Sequence, residues 1–332
     1  MKSVIKRSAA ALLAAVMLVI SVAGCAKKEE KKKIIIYTSA ENYRIDYMQS
    51  RLDERFPDYE IILDYRSSGD HAALLKASGT SADCHITHDL EYGYAEELAR
   101  LGFLADLSGK ADLSVYAEDT VKSSFYLPEV RNGGAIILNM DVFEEKELDV
   151  PQSYEDLLDP QYKGLISMPS PSSSGTGYMF LLSLVNAWGE EEAFDYFDKL
   201  SENILSFTSS GSGPVNALVQ GEVAIGLGIT ANAVTKINEG ANLKPVFFEE
   251  GSPYTMYGQG VIAGRETDTA VMEVFGYLST ELTREVNCLY FPERIFKDAT
   301  VEVKNFPTDI TYADMSDNTP ERKDELLAKW NH

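Results

Sequence analysis

Short apolar runs along this chain alternate with stretches in which apolar residues recur every three or four positions. Ile34-Ile35-Ile36-Tyr37 reads as a buried strand that runs into Thr38-Ser39-Ala40, and a helix is predicted from about 42 to 56. Ile61 to Tyr65 is a second strand, followed by Ser67-Ser68-Gly69-Asp70 and a helix over about 71 to 78. Cys84 to Thr87 is a third, with a helix over about 91 to 100 that stops before Gly102. Strands alternating with helices predict a mainly parallel sheet with helices on both faces.

The pattern continues with the strand Ala135 to Asn139 and then restarts. Gly164 to Met168 is a strand, then a Pro/Ser-rich loop, then a helix over about 176 to 188 stopped by Gly189. Val223 to Leu227 and Gly260 to Ala263 are further strands, and from about Thr269 the chain is helical, then irregular. This predicts an α/β protein of two lobes joined by two hinge crossings. The first lobe would take 34–138 plus 260–332 and the second 139–259. Ligands of such open sheets bind at the crevice outside the carboxyl ends of the strands.

Four polar loops fall at those predicted ends: Thr38-Ser39, Ser67-Ser68-Gly69, Ser172-Ser173-Ser174-Gly175-Thr176-Gly177, and Thr208-Ser209-Ser210-Gly211-Ser212-Gly213. The last two lead directly into helices, where free N–H groups and the positive dipole end form an anion site. Ser and Gly also serve as caps and turn formers, which explains any single loop equally well. Four at one sheet edge point to a site. Tyr254 and Tyr257 precede the return crossing; they can stack on a ligand, donate a hydrogen bond, give phenolates to a ferric ion, or merely pack the hinge. Asp89 and Glu91 follow the third strand and suit either solvent or a cationic group. His85 and His88 lie three apart on a strand, so they point to opposite faces and do not make a metal site. The chain lacks G-x-S-x-G, G-x-x-x-x-G-K-[ST], H-E-x-x-H and C-x-x-C.

The N-terminus adds a different kind of segment. Lys2, Lys6 and Arg7 precede an apolar run from Ala9 to Val22, which reads as a secretion signal over 1–24. Residues 25–33, rich in Lys and Glu, read as a solvated tether. The formal charge of −22 becomes −25 once the basic signal residues are removed, which argues against a nucleic-acid partner. Cys84 and Cys288 are expected to be buried thiols, although one disulfide between them is compatible with the sequence.

Taken together, Val22-Ala23-Gly24-Cys25, Ile36-Tyr37-Thr38-Ser39, Asn139-Met140-Asp141, the stretch Asp159 to Gly164, Ser172 to Tyr178, Thr208 to Ser212 and Gly221 to Gly226 carry a resemblance. The first resembles the bacterial lipobox, which implies acylation of Cys25 and a location outside the cytoplasm, on the outer face or periplasmic side of the cell membrane. The rest resembles extracellular solute-binding proteins of ABC importers, in the branch with ferric-ion binders and binders of phosphonates or phosphorylated sugars. That resemblance implies a periplasmic-binding-protein-like fold, a non-enzymatic role, no cofactor, and partners in a small-molecule ligand and permease subunits with a cytoplasmic ATPase. A monomer is expected. It also implies that the serine loops hold an anion such as a phosphonate or phosphate ester. Ferric iron on Tyr254 and Tyr257 is the alternative, although those residues are not the adjacent tyrosine pair of iron-binding relatives. A secreted enzyme on the same scaffold is the other alternative.

Cys25→Ala should release the protein from membranes into the medium or periplasm. Retention of the variant in the membrane fraction after a carbonate wash would contradict lipid anchoring.

Overall fold

The computed structural model describes residues 31–332 apart from 119, 122, 293, 294 and 299–301. The expected secretion signal, the expected acylation site Cys25 and most of the expected tether lie outside the described residues.

The strands are β1 (Lys32–Thr38), β2 (Tyr59–Tyr65), β3 (Ile86–Glu91), β4 (Leu127–Asn139), β5 (Ile166–Pro169), β6 (Ile204–Thr208), β7 (Ile225–Ile229), β8 (Leu243–Val246) and β9 (Tyr254–Val261). They join side by side in the order β2-β1-β3-β9-β4-β7-β5-β6, with β8 on the far half of β4. At each end the sheet is parallel: β1 pairs with β2 and β3, and β5 with β6 and β7. Parallel strands are buried on both sides, which is why β1 can place Ile34 and Ile36 at zero exposure and still carry Ile35 between them.

The helices are α1 (Asn42–Arg55), α2 (Ser68–Ser78), α3 (Tyr92–Arg100), α4 (Met140–Glu145), α5 (Gly175–Trp188), α6 (Glu190–Leu200), α7 (Gly213–Val219), α8 (Thr230–Asn238), α9 (Thr269–Tyr277), α10 (Thr283–Tyr290) and α11 (Pro320–Leu327). Helix α1 turns one narrow face inward, with Arg44, Met48 and Leu52 buried at four-residue spacing. Helix α5 is buried continuously from Gly175 to Val185 and forms the spine of the second core. Among the described residues no helix is long and apolar enough to cross a membrane.

The two crossings are β4 and β9. Residues 127–133 of β4 pair antiparallel with β9, and residues 134–139 pair with β7 and β8. The switch falls at Gly133-Gly134. A Cβ on Gly134 would meet Phe180, Met179 and Pro253 at 2.8–2.9 Å, so a side chain there would wedge the strand off the second core. Strands β6 and β8 were not anticipated from the sequence. β6 is an edge strand with Leu205 exposed, and β8 is four residues long, so neither carries a clear apolar pattern.

Two expectations need correcting. Cys84 is buried, but Cys288 is exposed near the end of α10, and the two are not bridged. The C-terminal stretch does not belong to the first lobe alone. Val271, Val274 and Phe275 do enter the first core, whereas Ala313, Met315, Leu326 and Trp330 pack into the second. The Trp330 ring meets Phe197 and Phe207 with centroids 5.3 and 5.8 Å away. The tail therefore lies across both lobes. Lys323 on α11 is buried and donates to Glu91 at the end of β3, with its ammonium 3.5 Å from the Tyr94 ring and 4.6 Å from the Tyr178 ring. Glu91 also accepts from Thr255 Oγ1 at 3.0 Å and Asn318 Nδ2 at 3.1 Å.

Lys323→Met would leave the Glu91 carboxylate buried without its cation. A loss of ~3–5 kcal/mol in urea unfolding is expected, and replacing Glu91 by Leu in the same chain should recover part of it. A single-variant loss below about 1 kcal/mol would mean that the pair is not holding the tail.

Candidate functional site

The carboxyl ends of β1, β2 and β3 open on the same edge of the first lobe and supply one wall. Ser39, just past β1, has its Oγ 2.9 Å from Ser68 Oγ and donates to Asp89 Oδ2 at 3.1 Å. Beyond β2, Ser67 caps α2: its Oγ accepts from the Asp70 N–H at 3.3 Å. Asp89 sits where β3 loses register with β9, between Thr87 and Leu90, and has φ +53°. A left-handed aspartate inside a strand is a strained backbone position of the kind that clusters at functional sites.

Beneath this wall lies Arg44, fully buried, on α1. Its Nη1 donates to Glu41 Oε2 at 3.0 Å and Asp89 Oδ1 at 2.9 Å, and its Nη2 donates to Glu129. Glu41 stands at the α1 N-cap but makes no capping bond with its side chain. Burial raises the Glu129 carboxyl well above the usual carboxylate range and the Glu41 carboxyl less far; Arg44 opposes both shifts. At Asp89 burial pushes the same way, but Arg44 prevails and holds its carboxyl below that range. His88, 3.4 Å from Glu129, is pushed down to about 3 by burial and stays neutral, as does His71.

The second wall comes from the carboxyl ends of β5, β6 and β7. Ser174 caps α5, its Oγ accepting from the Gly177 N–H at 3.4 Å. The first N–H groups of this 14-residue helix, at Gly175 and Thr176, have no intrahelical acceptor. After β6, Thr208 Oγ1 donates to the Ser210 carbonyl at 2.9 Å, and Ser210 and Ser212 hydroxyls lie 3.2 Å apart. Helix α7 behind them has seven residues and no side-chain cap, so the anion-binding helix start expected there is weaker than that of α5. Close approach explains the glycines. A Cβ on Gly175 would lie 2.7 Å from Tyr257 Oη, and one on Gly211 would lie 2.2 Å from Thr176 Oγ1. The walls touch directly: the Gly69 N–H donates to the Ser173 carbonyl at 3.0 Å.

Between the walls lies a narrow cavity with only about 20 Å³ open to the centre of a water-sized particle. Of the residues singled out from sequence, Ser39, Ser67, Ser68, Asp89, Ser174, Gly175, Thr176, Ser210, Gly211, Ser212 and Tyr257 line it. The others do not. Thr38 lies behind the wall, 2.9 Å from His88 Nδ1. Ser172 and Ser173 form the seam against Gly69, and Ser209 is outside the lining. Tyr254 packs on Tyr312, with the Arg131 guanidinium 5.3 Å from its ring. Glu41, Tyr65, Asn132 and Ile229 line the cavity without having been anticipated. Tyr65 and Ile229 are the last residues of β2 and β7, a signal that tracing each strand to its end would have caught. Glu41 and Asn132 carry no such mark. A wider hollow of about 920 Å³ beside the start of α6 is set by Glu190, Asp195 and Asp198, which are engaged in surface ion pairs.

Positions three apart on β9 face opposite ways, so Tyr257 lines the cavity while Tyr254 packs on Tyr312. Burial, with Asp89 and Glu91 nearby, keeps the Tyr257 phenol well above its ordinary range. Among the described residues no group of three or more His, Cys, Asp or Glu side chains is placed to hold a metal ion.

The family described as bacterial extracellular solute-binding protein matches residues 96–305. The chain belongs to that family. Members and look-alikes vary in what they carry. A Haemophilus influenzae protein of unassigned role is 28% identical over 74% of this chain and 72% of its own length. A Salmonella typhimurium periplasmic protein, provisionally named for 2-aminoethylphosphonate binding, is 27% identical over 37% of this chain and 35% of its own. Among solved structures, the periplasmic binding protein AfuA of Actinobacillus pleuropneumoniae with fructose-6-phosphate superposes with TM-score 0.78 at 22% identity, over 91% of this chain and 98% of that one. Iron-bound HitA of Pseudomonas aeruginosa gives 0.70 at 16%, over 90% and 99%. These structural likenesses establish the two-lobe fold of this solute-binding protein and leave its ligand open.

The buried histidines give the solute-binding protein a defined acid response. His71 is neutral when folded and takes a proton below about 6.5 when unfolded, so its contribution is present above that pH and is lost as pH falls towards about 3. From pH 7 to pH 5, wild type should lose about 2 kcal/mol more urea stability than His71→Gln. Parallel pH profiles for the two would contradict a neutral buried His71.

Proposed function

We propose that this protein is the substrate-binding component of an ABC importer and that it captures a small organic anion, such as a phosphonate or phosphate ester, between its lobes. It would be held outside the cytoplasm by a lipid on Cys25 and would deliver its cargo to a membrane permease driven by a cytoplasmic ATPase. The observation that carries the reading is the convergence of two capped helix starts, α2 from one lobe and α5 from the other, with serine hydroxyls from both walls on one narrow cavity. Hydroxyls and backbone N–H groups are donors that suit a tetrahedral oxyanion, and the positive dipole ends favour its charge. Donors on both lobes also supply a reason to close, since only the shut form offers all of them. The Salmonella relative named for a phosphonate and the structure holding a sugar phosphate are in keeping with this chemistry. Ferric iron is the less supported cargo, because Tyr254 turns away from the cavity.

Calorimetry with inorganic phosphate, fructose-6-phosphate and ethylphosphonate tests the reading. Loss of a hydroxyl bonded to a charge costs ~1.5–3 kcal/mol, so Ser68→Ala and Ser210→Ala should each weaken binding about tenfold or more. Gly175→Val should weaken it further, since its side chain would occupy the space beside Tyr257 Oη. Unchanged affinity in all three variants, or no binding of any anion to wild type, would remove the cradle. A phenolate-to-iron absorption band with ferric citrate that disappears in Tyr257→Phe would favour iron instead.

A further inference from the structure

The cavity has a feature that a plain anion does not explain. Two of its lining residues, Glu41 and Asp89, are carboxylic acids, and among the described residues no Lys or Arg lines it. Arg44 is buried behind the wall and shared among Glu41, Asp89 and Glu129. That one guanidinium is already shared by three acids, so at this corner the described residues offer a ligand anion no free cation. Buried charge of one sign is costly unless paired. An anion without a counter-group would face two acids in the cavity wall.

A second observation is independent of the acids. Asn132 lines the cavity from the hinge strand β4 and is 1% exposed, and its Oδ1 has no hydrogen-bond partner. A buried acceptor left open in the wall of a binding cavity calls for a donor. The donors on the opposite side, at Ser174 to Thr176 and Ser210 to Ser212, would meet an oxyanion instead.

We infer that the ligand is a zwitterion, a small phosphonate or phosphate ester bearing a primary ammonium group, with the ammonium received by Glu41, Asp89 and Asn132. This inference rests on the anion-capturing role proposed above. A primary ammonium brings three N–H donors and one positive charge, which match two carboxylates and one amide oxygen. Charge-assisted bonds of this kind are roughly twice as strong as neutral ones. The arrival of the cation would also draw Glu41, whose carboxyl is raised by burial, towards its ionised form. The tightness of the cavity calls for a short linker between the two charged ends.

The test is calorimetry of the full-length protein with 2-aminoethylphosphonate, ethylphosphonate and ethanolamine, alongside phosphate and fructose-6-phosphate. In wild type, 2-aminoethylphosphonate should bind about tenfold or more tightly than ethylphosphonate. Glu41→Gln should shrink that ratio, chiefly by weakening the amine-bearing ligand. Should Glu41→Gln fail to fold, Asn132→Leu replaces it, with the same shrinkage expected. Equal or tighter binding of ethylphosphonate in wild type would overturn the zwitterion. So would binding of phosphate or fructose-6-phosphate without any of 2-aminoethylphosphonate, an outcome that leaves the anion-capturing role standing. Failure of every anion would overturn both.

Discussion

Arg44 is the point on which the candidate site is built. Its guanidinium, without contact to solvent, is held by Glu41 at the head of α1, Asp89 at the end of β3 and Glu129 on β4, and lies 5.0 Å from the Phe291 ring. One residue thus ties a helix, a strand end and the hinge strand to a common centre. Taking these charges out of water is expensive, and only multiple bonds in good geometry offset the cost. The arrangement also accounts for local oddities. Glu41 leaves its helix start uncapped because its carboxylate is committed to Arg44. Asp89 holds a left-handed backbone because its carboxylate is held by Arg44 and by Ser39.

From that centre outward, the cavity is shaped by how closely backbones approach. Gly69 against Ser173, Gly175 against Tyr257 and Gly211 against Thr176 leave no room for a side chain. The two lobes therefore meet through main chain and hydroxyls, and a ligand between them is met by donors fixed in the fold. Preorganised donors of this kind lose little on binding, which favours discrimination by shape and charge.

Much of this could be read from the chain because parallel strands advertise themselves. Ile34 to Tyr37 and Ile61 to Tyr65 are apolar runs ended by polar residues, and in an α/β sheet those ends share one edge. Serines 39, 67, 68 and 174 follow from that rule, 210 and 212 from a Ser/Gly loop that leads into a helix, and all six line the cavity. What escaped depended on distant contacts. Nothing local marks Arg44 as buried, since an arginine among helical polar residues looks solvated. Glu41 and Asn132 acquire their position only when α1 and β4 pack. Tyr254 was linked to Tyr257 by spacing alone, and the strand's two-residue alternation separates them. The tail from Ala313 resembled an irregular terminus because its apolar residues, Met315, Leu326 and Trp330, are too sparse for a periodic pattern.

That tail gives the hinge a set point. Leu326 and Trp330 are seated in the second lobe, while Lys323 reaches Glu91 and Glu321 pairs with Arg100 in the first. Parting the lobes means giving up one set of these contacts, whether or not a solute is present. The resting aperture of the empty protein is then set in part by residues that do not line the cavity. While open molecules still predominate, each ~1.4 kcal/mol by which the tail favours the shut arrangement multiplies apparent affinity about tenfold. Evolution can therefore adjust the concentration at which this protein responds by changing α11, leaving untouched the walls that decide which solute is accepted.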